Sequence, residues 1–204
     1  MSGRSALSLA IALTAIACAP LGAFDTVVVD PGHGGSDRGG IPRQRIAEKE
    51  WTLKTSLRLA TELKQRGFEV VMTRTSDDYV SLAQRCRIAN GKKNAIFVSV
   101  HYDAYRREAA DGITAYYAGS RSDRLARYIN SRMSAALRPK TNRGAKRARF
   151  YVIRNTLCPA VLVECGFLTN TAEARRIQTT DYQEKLVAAI ADGVVDYRKY
   201  RTGR

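Results

Sequence analysis

The chain has 204 residues, 45% of them hydrophobic and 26% charged, so one domain with a full hydrophobic core is expected and a disordered chain is excluded. Its formal net charge of +15 predicts attraction to something anionic: nucleic acid, a membrane face or an acidic cell-wall polymer. Four cysteines at irregular spacing exclude both a zinc finger and a disulfide scaffold.

Residues 1–23 read as a signal peptide. Arg4 precedes an apolar stretch from Ala6 to about Ala19, too short and too rich in small residues for a comfortable membrane span. Cleavage after Ala23 leaves Phe24 first; Ala17 is the alternative, with Pro20 close behind it. An uncleaved anchor and a lipid on Cys18 are the competing readings. Cleavage leaves Cys86, Cys158 and Cys165, with room for one disulfide at most. Export argues against nucleic acid as the main partner, and the chain carries no nucleic-acid motif.

Residues 24–204 then read as one unit, without repeat or linker. "DTVVVD" is a first strand, followed by the glycine-rich loop "PGHGGSDRGGIPRQR". A helix runs from about Glu48 to Arg66 with Leu53, Leu57, Ala60 and Leu63 on one face and Gly67 as its stop. "FEVVMTR" is a strand, residues 80–90 a helix closing at Gly91, and "NAIFVSVH" a very apolar strand. "GITAYYAG" is a shorter strand. A helix follows over 122–137 with Ser122 as N-cap. Residues 138–149 form a basic connector, "FYVIR" a short strand, "AVLVECGF" a stronger one, and residues 182–200 a final helix. Strands that alternate with helices and are apolar throughout predict an α/β fold. We expect about six strands, mostly parallel, with helices on both faces.

The chain has two histidines, and each follows a β-branched run: His33 after "VVVDPG" and His101 after "IFVSV". Glu164 ends the "AVLV" run in the same way. Three strands delivering such side chains at their carboxyl ends point to one site at that sheet edge. Taken singly, each has a plainer reading, His33 as a turn residue, His101 as a satisfied core histidine and Glu164 as a salt-bridge partner; together they fit a zinc hydrolase. Catalytic zinc sites use three protein ligands and leave a fourth position to water, and a further carboxylate moves the proton. "AEKEW" offers Glu48 and Glu50 as the third ligand, and helical periodicity does not choose between them. Cys165 points to the opposite face from Glu164 and is not counted as a ligand. Trp51 reads as core or rim rather than as a sugar platform.

The strings "VVVDPGHGGSDRGG", "EKEWTL", "VMTRTSD", "RIAN", "SVHYDA" and "PAVLVECGFLTN", in this order over roughly residues 25–198, resemble the zinc-dependent N-acetylmuramoyl-L-alanine amidases of the cell-wall amidase type 3 family. The resemblance implies His33, Glu48 and His101 as Zn²⁺ ligands and Glu164 as catalytic acid/base. It implies peptidoglycan as substrate, cut at the amide between the muramoyl lactyl group and L-alanine, and periplasmic or cell-wall action. The chain departs from the family at Asp103, where Asn is usual; the added charge bears on the metal's water and on substrate fit. Arg143, in the basic connector, is a candidate for gripping stem-peptide carboxylates or anionic wall polymer, against the alternative of a solvated loop. The interval from His101 to Glu164 lacks room for the long inhibitory helix of some family members, so an open site is expected. The rival reading is a catalytically silent wall-binding or regulatory protein on the same fold, which would be expected to have lost one of these four residues.

Overall fold

The computed structural model describes residues 24–40 and 45–203; the signal-peptide reading, with Cys18, falls outside the described residues. Six strands make one sheet: β1 (Thr26–Pro31), β2 (Glu69–Met72), β3 (Ala95–Asp103), β4 (Ile113–Tyr117), β5 (Asn142–Arg147) and β6 (Ala160–Phe167). Their spatial order is β2-β1-β3-β6-β4-β5. β1 pairs in parallel with β2 and β3, and β3 with β6; β4 runs antiparallel to β6 and parallel to β5.

Strand alternation divides the apolar residues between two cores. Val27 and Val29 of β1, Ile96, Val98 and Val100 of β3, and Val161, Val163 and Cys165 of β6 face the larger one. That face is covered by α1 (Glu48–Gln65), α3 (Ser120–Leu137) and α6 (Thr180–Thr202). Val28, Phe97, Ala160 and Leu162 face a smaller core under α2 (Leu82–Asn90) and α4 (Tyr151–Arg154). By the same alternation His101 and Glu164 share the second face, where short helices cover only part of the sheet.

Several expectations are corrected. The connector 138–149 holds β5, an edge strand whose Lys146 and Arg147 are exposed; such charges deter another chain from adding to the sheet. "FYVIR" is not a strand: residues 151–154 form the single turn of α4, with Val152 and Ile153 pressed into the smaller core. Residues 171–177 add a short helix, α5 (Thr171–Ile177), begun by Asn170, whose side chain accepts the Glu173 N–H. α3 starts at Ser120, not at Ser122; the Ser122 hydroxyl instead accepts the N–H of Ala160 (2.9 Å), tying α3 to the start of β6. The buried face of α1 is Thr52, Thr55, Ser56, Leu59, Ala60 and Leu63, while Leu57 is 42% exposed. Cys86, Cys158 and Cys165 are all free thiols. No helix among the described residues is long and apolar enough to cross a membrane.

α3 and α6 cross closely at Gly193, where an added Cβ would lie 2.5 Å from the Cα of Ile129. In an open helix Gly→Ala gains about 1 kcal/mol. Here the neighbour is backbone and cannot yield cheaply, so Gly193→Ala should destabilise by about 1–3 kcal/mol. Thermal or urea unfolding of the two proteins checks the sign; a more stable Ala variant would exclude the close crossing.

Candidate functional site

β1 ends at Pro31, and the chain turns into the glycine-rich loop. Two buried arginines hold that turn by its carbonyls. Arg85, from α2, donates to Pro31 O (2.5 Å) and His33 O (2.6 Å) while pairing with the buried carboxylate of Asp30 (2.7 Å). Arg74, beyond β2, donates to Pro31 O (3.1 Å) and Gly32 O (2.8 Å), and the Thr52 hydroxyl donates to Gly32 O as well (2.6 Å). Ser99 and Thr73 complete the shell around Asp30 at 2.7 and 2.6 Å. Lys49 pins the far side of the loop, donating to Gly35 O and to Asp77. Held this way, His33 adopts a left-handed backbone, with φ of 59°.

His101 arrives at the carboxyl end of β3, in register with Glu164 of β6. Glu48 reaches over the sheet edge from the first turn of α1. His33 Nε2 lies 3.1 Å from Glu48 Oε2, and His101 Nδ1 lies 3.0 Å from Oε1. The N–H groups of Gly40 and Tyr102 donate one bond to each carboxylate oxygen, at 2.9 and 3.0 Å. Two glycines permit the approach. A Cβ on Gly32 would meet the His101 ring at 2.3–2.7 Å, and one on Gly39 would meet both Glu48 Oε2 and His33 Cδ2 at 2.6 Å. One donor atom from each of His33, Glu48 and His101 lies within 4.8 Å of the others, a His–Glu–His metal-binding triad. Glu48, rather than Glu50, is the acid that takes part; Glu50 is exposed.

The electrostatics suit a cation. Burial opposes ionisation of Glu48, but hydrogen bonds from His101 and His33 prevail and hold its carboxyl down to about 2. Burial likewise opposes charge on His33, yet its bonds to Glu48 and then to Asp37 raise its pKa. Asp37 accepts from His33 Nδ1 at 2.8 Å, fixing the ring tautomer and turning Nε2 inward. Asp37 escaped the sequence reading, although its place four residues after His33 in the same loop was the available signal.

Glu164 is the other kind of acid. Its Oε2 is buried without a hydrogen-bond partner. Burial first, then the charges of Glu48 and Asp103, push its pKa well up. Asp103 lies close by, its Oδ1 accepting the Ala104 N–H (2.8 Å), with burial raising its pKa and the Arg143 charge lowering it. Arg143 is anchored rather than free: it donates to Asp111 O (2.8 Å) and lies over the Phe167 ring at 4.8 Å. Cys165 faces the larger core, away from the site. α3, which fills much of the interval between His101 and Glu164, packs against α6 on the opposite face of the sheet.

The sequence model of a family described as N-acetylmuramoyl-L-alanine amidase matches residues 27–196. The chain belongs to this amidase family. It is 38% identical over 177 residues to the probable cell wall amidase LytH of Staphylococcus epidermidis, a match covering 84% of this chain and 58% of that protein. It is 36% identical to the N-acetylmuramoyl-L-alanine amidase LytC of Bacillus subtilis, covering 85% and 35% respectively. The chain thus spans about half the length, or less, of these relatives. Among solved structures, the catalytic domain of CwlV, an N-acetylmuramoyl-L-alanine amidase from Bacillus (Paenibacillus) polymyxa var. colistinus, superposes with a TM-score of 0.81 at 35% identity, covering 85% of this chain and 98% of that one. The amidase AmiC2 of Nostoc punctiforme gives 0.80 at 34%, over 86% and 98%.

Because Asp37 sets the His33 tautomer, Asp37→Ala should weaken metal binding about 10–100-fold while leaving the fold intact. Competition for zinc against a chromophoric chelator measures this. Wild-type affinity in the variant would show that the loop backbone alone orients the ring.

Proposed function

We propose that the chain is a zinc-dependent N-acetylmuramoyl-L-alanine amidase. It hydrolyses the peptidoglycan amide between the muramoyl lactyl group and L-alanine, outside the cytoplasm where that polymer lies. The observation that supports this best is the pairing of two unlike carboxylates at one sheet edge. Glu48 is ionised and shared by two imidazoles, whereas Glu164 is half-buried, its Oε2 shielded without a hydrogen-bond partner, and is harder to ionise. Environments that push two acids apart in this way are how one site divides ligand and proton-transfer roles.

Two imidazoles and one carboxylate are a donor set that zinc accepts while keeping a position open. His33, Glu48 and His101 would hold the ion, which when bound lowers the pKa of a water to about 7 and polarises the scissile carbonyl. The protein's own residues do the rest. Glu164 takes the proton of the attacking water on its carboxylate as the C–O bond forms. It returns that proton to the amide nitrogen as the C–N bond breaks, so that L-alanine leaves as a neutral amine. Asp37 keeps the His33 ring turned inward, and Asp103 adds negative charge beside the reacting groups. The basic surface offers peptidoglycan, and any anionic wall polymer, a favourable field.

Glu164→Gln should retain zinc and lose about 10²–10⁴-fold in turnover. The measurement is the appearance of new L-alanine amino termini in purified peptidoglycan, with and without chelator. Release that survives both chelator and the Gln variant would sink this reading.

A further inference from the structure

Two concave surfaces flank the site, and they differ in chemistry. One is a cleft of about 160 Å³ that includes the His33 and His101 rings, walled by exposed Tyr79, Leu82, Phe150 and Tyr151. The other is a groove of about 570 Å³ with three arginines on its rim, Arg45, Arg106 and Arg175. The segments that deliver Glu48, His101 and Glu164 each border this groove. Arg45 stands three residues before Glu48, and Arg106 five residues after His101. Arg175 is on α5, which follows directly on the β6 strand carrying Glu164. The exits of β3 and β6 are joined beneath it: Leu168 N–H donates to Asp103 O, and Tyr105 N–H to the Thr169 hydroxyl, both at 3.0 Å.

The scissile bond has the same asymmetry. On one side is a sugar; on the other, a short peptide that carries carboxylates. We propose that the groove between the start of α1, the exit of β3 and α5 is the subsite for the stem peptide, with Arg45, Arg106 and Arg175 receiving its carboxylates. This rests on the amidase reading and adds a direction to it: the peptide leaves the reacting centre toward α5, and the muramoyl residue lies toward the aromatic cleft.

Charge, size and surface favour a peptide. The one acid lining the groove, Glu108, is engaged by the Thr171 hydroxyl. None of the three arginines carries an ion pair among the described residues. Guanidinium groups offer carboxylates paired, directional bonds that ammonium groups do not. Ile46, Leu168 and Ala174 add an apolar lining suited to alanine methyl groups. The volume of about 570 Å³ accommodates a short peptide.

The test compares the full-length zinc-loaded protein with Arg45→Gln/Arg106→Gln/Arg175→Gln, and with Lys64→Gln/Arg87→Gln/Lys92→Gln as a charge-matched control elsewhere on the surface. Substrates are a soluble muramoyl-peptide with free carboxylates and the same molecule with those carboxylates amidated. For the free-carboxylate substrate the groove variant should raise KM about tenfold or more with kcat nearly unchanged, and the control should match wild type. On the amidated substrate all three should coincide. An equal change on both substrates, no change, or the same change in the control overturns the proposal. Calorimetry with free stem peptide separates this from the amidase reading, because it needs no turnover. Binding that is present in wild type and lost in the groove variant sustains the subsite even if nothing is cleaved; no binding in wild type overturns it. Loss of poly(glycerol phosphate) binding with stem-peptide binding intact would assign the groove to wall polymer and overturn the proposal equally.

Discussion

The site depends on the grip that Arg85 and Arg74 keep on the backbone just beyond β1. Past Pro31 the carbonyls have left the sheet, and water is largely excluded. Unpaired, each would lose the value of a hydrogen bond and more. Two guanidiniums satisfy three successive carbonyls, those of Pro31, Gly32 and His33. Their charge is admissible at this depth because Asp30, itself fully buried, sits beneath Arg85. Removing one member of such a pair leaves the other charge stranded, at a cost of about 3–5 kcal/mol. The grip offsets a local expense: a non-glycine residue in the left-handed region costs about 1–3 kcal/mol, and His33 stands there. The loop therefore presents its imidazole before any ligand arrives.

The sheet's two faces divide the labour. α1, α3 and α6 bury one face almost completely, and its side chains are mostly aliphatic. Among the described residues the other face carries only the nine-residue α2 and the four-residue α4, so the C-terminal parts of β3 and β6 are only partly covered there. Strand alternation puts His101, Glu164 and Asp103 on that open face and Val100, Val163 and Cys165 on the closed one. Glu48 joins from the closed side because α1 begins at the sheet edge, where its first turn can bend across. The side of α1 facing the sheet near that edge is hydroxyl-rich for the same reason. Thr52 donates to Gly32 O, and Thr55 donates to Gln183 and shares a 2.7 Å bond with the Tyr102 hydroxyl.

This explains what could be read from the sequence. β1, β3 and β6 announce themselves because strands buried on both faces are apolar, β-branched runs, and a site residue stands at or just beyond the end of each. Helix α1 was legible as a helix, but its inward face was not: Thr52, Thr55 and Ser56 look like a solvent face, yet all three are buried, Thr52 and Thr55 on hydrogen-bond partners. β5 was hidden because "NRGAKR" has no apolar alternation, and an edge strand needs none. "FYVIR" misled in the opposite sense, with β-branched residues in a single turn whose conformation is set by packing on Cys86 and Leu162 of the smaller core. Between Glu48 and Glu50 only three-dimensional structure, or family likeness, could choose.

The net charge of +15 is likewise not one property but several. Arg74 and Arg85 spend theirs inside the protein, on backbone carbonyls and Asp30. Lys146 and Arg147 stand on an exposed sheet edge, where charge deters a further strand. Arg45, Arg106 and Arg175 ring a groove beside the reacting centre. Composition counts all of these alike, and so it first admits nucleic acid, membrane and wall polymer as equal partners. Burial separates them: a guanidinium locked on main chain cannot receive a ligand, and one on a sheet edge meets ligands only weakly in water and salt. Of these three groups, the arginines held in a concave surface are the ones placed to receive a ligand, where a carboxylate is both attracted and oriented.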